Sequence, residues 1–283
     1  VNAITLGDGA NGGLAANYSI TPGQTTTAAI TKKALTTTLT GTVSKTYNGN
    51  TSATLGTSNY SISGFVGSEG ATITQTSGNY NNKNFGTSKS VAVLVSASDY
   101  SATGSTSLDN YTLGTGLISA DIGTIAKKNV TLTAPTVTKT YDGTVAHTVT
   151  TANLNDLSAQ LQSGDVVTIA TIAYDNKNIG TGKTLILSAA TIDDGNGGGN
   201  YSVTLANSSS GVINKAPLSV MAIDNAKFVT QSDPTFTFVY NGFVNGETAS
   251  TLANAGEFTI GSVSRSNSSI NAAGSYSQVL VPA

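Results

Sequence analysis

His147 is the one histidine of a chain that has no cysteine, so Cys–His pairs and multi-histidine metal centres are excluded from the start. A Ser-His-Asp triad has to pass its proton through His147, because the imidazole is the general base of that arrangement. The 15 acidic residues are spread along the chain, without the facing pair that glycoside hydrolysis requires. The residue inventory therefore points away from an enzyme. One loop gathers oxygen ligands: Asp193-Asp194-Gly195-Asn196, followed by three glycines and Asn200. Asp193, Asp194 and Asn196 in a glycine-rich frame are the donor type that suits Ca²⁺. The corresponding loop before Asn110 has a single acid, Asp109, so a flexible hairpin loop is the preferred reading and no other cofactor is indicated.

The elements that carry these residues are set by an internal repeat, the first thing to look for in such a chain. Lys45-Thr-Tyr47-Asn48-Gly49 corresponds to Lys139-Thr-Tyr141-Asp142-Gly143, with the tyrosines 94 residues apart. Asn81-Asn-Lys-Asn84 corresponds to Asp175-Asn-Lys-Asn178 at the same offset of 94. Asn110-Tyr-Thr-Leu113 then matches Asn200-Tyr-Ser-Val203, and Ile125-Ala-Lys-Lys128 matches Ile213-Asn-Lys-Ala216. His147 aligns with Ala53, so the repeat gives it no special place. Residues 1–30 contain Asn17-Tyr18 and a Gly-rich run, and read as the closing part of a preceding repeat. Residues 31–126 and 127–214 are two complete repeats. Residues 215–283 form a divergent third, possessing Gly242-Phe-Val-Asn-Gly-Glu247 against Gly64-Phe-Val-Gly-Ser-Glu69, and are expected to lack a last strand.

Composition fixes the element type. Charged residues make up 10% of the chain and there are 31 glycines, against about 25% charged in ordinary domains. Thr, Ser, Asn and Gly fill the polar positions, which favours strands and tight turns. Asn129-to-Thr138 and Thr235-to-Tyr240 alternate apolar and polar residues as half-buried strands do. Leu154, Leu157 and Leu161 predict one short helix, and Thr248-to-Asn254 a helical turn in the third unit. The expected class is mainly β: tandem modules, β-grasp-like or immunoglobulin-like sandwiches, each with one short helix, in an elongated array. Connections such as Ile125-Ala-Lys-Lys-Asn129 have no Gly/Ser or Pro run, which predicts a semi-rigid monomeric rod. A net charge of −2 gives no field for nucleic acid, and no stretch approaches a membrane span. Val1-Asn-Ala-Ile4 is not a secretory signal.

The Lys-Thr-Tyr-(Asn/Asp)-Gly segments resemble the signature of the YDG repeat domain. Lys215-Ala-Pro-Leu218, Ser232-Asp-Pro234 and Gly242-to-Glu247 are similar to the related MBG domain. Asn48 departs from the pattern, although its side chain is able to cap a turn as Asp142 does. The resemblance implies a secreted or cell-surface bacterial adhesin of the filamentous-haemagglutinin-like kind, with these repeats as its stalk in attachment or biofilm aggregation. It supplies no catalytic residues; Tyr47, Asn48, Gly49, Tyr141, Asp142 and Gly143 are its structural motif. The alternative is that the modules themselves bind glycan, matrix polysaccharide or a host protein, with Tyr47, Tyr60, Tyr80, Tyr100 and Tyr111 as stacking platforms. Some bacterial surface repeats carry Lys–Asn cross-links, and Lys45, Lys139, Asn84 and Asn178 recur at matching positions, as turn residues also would.

Overall fold

β-branched residues at alternate positions place one side of a strand in a core and leave the other in water. Gly86–Val95 follows this rule: Val91, Val93 and Val95 are at most 1% exposed, while Leu94 between them is 65% exposed. The computed structural model describes residues 5–21 and 27–282. Val1–Ile4 and residues 22–26 of the expected preceding repeat lie outside the described residues.

In the first module one sheet runs in the order Val43–Thr46, Gly116–Ala126, Gly86–Val95, Ser77–Tyr80, Ser52–Thr54. The first pair is parallel and the rest antiparallel. The second module repeats the plan with Thr138–Thr140, Ser208–Asn214, Gly180–Asp193 and Val166–Tyr174. Ala146 bridges Ala173 where the first module has its fifth strand. Opening and closing segments run side by side twice in each module. In the second, Lys128–Thr133 lies parallel to Tyr201–Ala206 before Thr138–Thr140 meets Ser208–Asn214. In the first, Lys33–Ala34 lies beside Tyr111–Thr112 before Val43–Thr46 meets Gly123–Ala126. The paired segments pass from one sheet to the next and curl each module around its core.

Tyrosines tie that core to the backbone. Tyr80 donates to the Val43 carbonyl at 3.0 Å and Tyr174 to the Val137 carbonyl at 3.0 Å. A ring of this size buries well only when its hydroxyl finds a partner. The five tyrosines that the sequence offers for stacking on sugars are all of this kind. Tyr47, Tyr60, Tyr80, Tyr100 and Tyr111 are each no more than 9% exposed.

A further difference between the two repeats follows a cap that they share. In the second, α1 (Thr151–Ser158) starts at a reciprocal cap between Thr150 and Asn153 and buries Leu157. In the first, Asn59 caps Gly56 in the same way at 2.9 Å, but only a single 3₁₀ turn, Thr57–Asn59, follows. The chain then enters the strand Tyr60–Ser63, which pairs with Thr36–Leu39. The first repeat has no leucines at helical spacing there, so strand pairing wins. In the second, Gln160 reproduces that pairing with its side chain, accepting from the Thr133 N–H at 2.8 Å and donating to its carbonyl at 3.1 Å.

The third module pairs Ser219–Ala222 with Phe238–Asn241 and Val263–Arg265 with Leu280–Pro282, both antiparallel. It also carries α2 (Ala249–Asn254), capped by Thr248. Tyr240, Phe243 and Phe258 pack edge to face around its interior, with ring centroids 5.3–5.7 Å apart.

Candidate functional site at the module junctions

The turn at Gly49 and Gly143 explains the motif. Both glycines take positive φ, +81° and +77°, which an L side chain adopts only at a cost. Lys45 holds the first turn closed by donating to the carbonyls of Asn50 and Ser52 at 2.7 and 2.9 Å. Lys139 does the same for Thr144 and Ala146 at 2.8 and 2.9 Å. Asp142 accepts from the Thr144 N–H at 2.9 Å and pairs with Lys139 at 2.7 Å. Asn48 caps the corresponding N–H of Asn50 at 3.4 Å, and Lys45 takes the Asn50 side chain in place of a carboxylate. Lys45 and Lys139 thus face their own turns, and Asn84 faces Asn200 instead.

Each closed turn points its tyrosine at the next module. Tyr47 donates to the Asp165 carboxylate at 2.9 Å, across 118 residues of sequence. Lys83, from the Asn-Lys-Asn segment, pairs with the same carboxylate at 3.2 Å. Tyr201, from the second module's own closing strand, completes the set at 2.6 Å. Asp165 is 3% exposed, and a buried carboxylate is tolerated only when donors surround it. Tyr47 and Tyr201 also meet edge to face, with centroids 5.4 Å apart. Burial and then the Asp165 hydrogen bond drive the Tyr201 hydroxyl well above its ordinary pKa. Burial raises Tyr47 too, and the neighbouring Tyr47 hydroxyl leads the rise at Lys83.

The second junction repeats the arrangement. Tyr141 donates to Glu247 at 2.6 Å and Lys177 pairs with it at 3.0 Å. The Tyr141 hydrogen bond, with Lys177 assisting, holds the Glu247 carboxyl below its usual range. The acceptor sits on the same turn each time. Asp165 N–H donates to the Gln162 carbonyl at 3.0 Å, and Glu247 N–H to the Val244 carbonyl at 3.0 Å. The glycine of the motif presses on that turn. A Cβ on Gly143 would stand 2.5 Å from Asn245 Cβ, and one on Gly49 would stand 3.1 Å from Gln162 Cγ.

The two junctions differ beside the clamp. At the first, Asn200 is fully buried, accepting from the Phe85 N–H at 2.7 Å, while Lys127 lies 5.1 Å over the Phe85 ring. At the second, a cavity of about 540 Å³ remains, lined by Tyr141, Ile179, Leu218, Phe243, Leu252 and Phe258 among others.

The other sequence candidates are placed elsewhere. His147 lies 2.9 Å from Asn153 Oδ1 and supports the cap of α1. Asp194 is buried, and its carboxylate accepts from the backbone N–H groups of Asn196, Gly198 and Asn200 at 2.7–3.0 Å. Asp193 accepts from the Gly195 N–H at 3.2 Å, and Asn196 turns its amide to Asn200 at 3.1 Å. Among the described residues no three His, Cys, Asp or Glu side chains gather as a metal site.

A chain of like β-modules joined by a repeated tyrosine–lysine–carboxylate clamp is a tandem-repeat array. The family model of the YDG domain matches residues 31–118 and 126–210, and the chain belongs to that family. The model of the MBG domain (YGX type) matches residues 218–281. No curated protein and no solved structure matches. The two domain types together are consistent with the repeat region of a surface protein.

Proposed function

We propose that the chain is a stalk segment of a secreted or cell-surface bacterial adhesin, which holds a distal binding region away from the cell during attachment or biofilm aggregation. The observation that carries this reading is the clamp repeated at Asp165 and Glu247. A stalk needs each module fixed to the next, and here the motif residues serve the junction. The fragment acts as no enzyme, and Asp194 spends its oxygens on its own loop, so calorimetric titration with Ca²⁺ is expected to give no heat. The test is made in cells. The repeats are deleted and the lost length is restored with unrelated rigid modules. Recovered adhesion supports the stalk, whereas lost adhesion at full length favours modules that themselves bind glycan, matrix polysaccharide or host protein. Burial of the five tyrosines removes the stacking faces which that alternative needs.

A further inference from the structure

The first module carries the same acceptor turn as the other two, and its surroundings are less covered. Glu69 N–H donates to the Val66 carbonyl at 3.1 Å, as in the turns of Asp165 and Glu247. Tyr111 stands where Tyr201 stands. Its hydroxyl accepts from the Val66 N–H at 3.1 Å and donates to Glu69, as Tyr201 accepts from the Gln162 N–H at 2.9 Å and donates to Asp165. Three positions then diverge in exposure. Asp165 is buried but Glu69 only half-buried, Gln162 is half-buried but Val66 is 57% exposed, and Asn200 is buried but Asn110 is exposed. In the second module these are the residues that the preceding module covers: Asp165 by Tyr47 and Lys83, Gln162 by Gly49, Asn200 by Asn84 and Phe85. A groove of about 260 Å³ opens beside Glu69, lined in part by Tyr60, Ile62 and Phe65.

We propose that Glu69, Tyr111, Val66 and Asn110 form an acceptor face for a further module of the YDG type, joined ahead of the first. Its motif tyrosine and its Asn-Lys-Asn lysine dock on the Glu69 carboxylate, its motif glycine on Val66, and its backbone beyond the lysine on Asn110. The clamp therefore has a direction, because tyrosine and lysine come from the preceding module and the carboxylate from the following one. Lys227 follows Lys215 by 12 residues as Lys139 follows Lys127, which puts Val229 at the place of the motif tyrosine, so the third module offers no hydroxyl there. This inference holds whatever the array projects.

The test adds one module. Residues 32–126 are placed in tandem ahead of residue 32 of the chain, replacing residues 1–31 and keeping the spacing of the native junction. The chain has no cysteine, so Val66→Cys in the original module reports on the face through its rate of labelling by a thiol reagent. The added module is expected to slow labelling at least about tenfold, as closure of a local surface does. Tyr47→Phe with Lys83→Met in the added copy is expected to restore the faster rate. Ala53→Cys in the added copy, 5% exposed in the folded module, monitors its folding. Equal labelling of Val66→Cys with and without the added module, while Ala53→Cys stays inert, would overturn the proposal.

Discussion

Asp165 draws donors from two modules, and its removal strands more than one of them. Asp165→Ala leaves Tyr47 and Tyr201 without their acceptor and Lys83 without its counter-charge. Breaking a buried pair costs about 3–5 kcal/mol. Lys83 is about a third exposed, so screening lowers the expected loss to about 2–3 kcal/mol. Calorimetric unfolding should show it, while Asp156→Ala on the exposed side of α1 stays within about 0.5 kcal/mol. The motif glycines give an ordered pair of effects. Gly49→Ala meets a flexible glutamine, whereas Gly143→Ala meets Asn245 Cβ at 2.5 Å. Both carry the left-handed cost of about 1–2 kcal/mol. Gly143→Ala is expected to lose more than Gly49→Ala in the same unfolding experiment, and the reverse order would contradict the contact.

Elements show how one repeat plan tolerates two local solutions. Asn59 and Asn153 sit at the same repeat position and build the same cap. Beyond it, leucine spacing sends one chain into α1 and its absence sends the other into a strand. The leucines make α1 legible in the sequence, whereas the Thr150–Asn153 cap that starts it emerges only in the structure. The strand Tyr60–Ser63 is not legible as a replacement, because its partner Thr36–Leu39 is distant in sequence and pairing is decided across the fold. Asn153→Ala removes the side-chain half of the reciprocal cap and the His147 contact together, while the backbone N–H at 153 still reaches Thr150 Oγ1. A loss of about 1 kcal/mol is expected, with faster amide exchange confined to the first turn of α1. Exchange that spread through Val166–Tyr174 would show that the cap supports the sheet as well.

At the scale of the whole molecule, the array depends on charge at its junctions. The folded Glu247 carboxyl lies below its ordinary range through Tyr141 and Lys177, so the folded state binds fewer protons than the unfolded. Its contribution is present above the unfolded value of about 4.3 and is lost as pH falls through the folded one. The Glu247 hydrogen bond raises Tyr141 and Lys177. Their contribution is present below their ordinary values, about 10, and is lost as pH rises through the raised ones. Small-angle scattering is therefore expected to show the second and third modules uncoupling in acid and again in strong alkali. Between those limits one narrow distance distribution should persist, with an unchanged circular dichroism spectrum throughout.

What the sequence determined by itself was everything that repeats within one chain segment. The β class follows from Thr, Ser, Asn and Gly usage, and the modules from the constant offset of Tyr47 and Tyr141, and of Lys83 and Lys177. The donors of the clamp were thus visible as motif residues without a visible purpose. That Asp165 and Glu247 accept from them was hidden for a physical reason, although Glu247 itself was visible as the match of Glu69. Tyr47 reaches across 118 residues to an aspartate, while Tyr141 reaches across 106 to a glutamate. Neither spacing nor residue type repeats, because a junction requires only a carboxylate at the right point in space. Tertiary structure alone brings that carboxylate under the preceding tyrosine and lysine, and so turns a sequence signature into a joint.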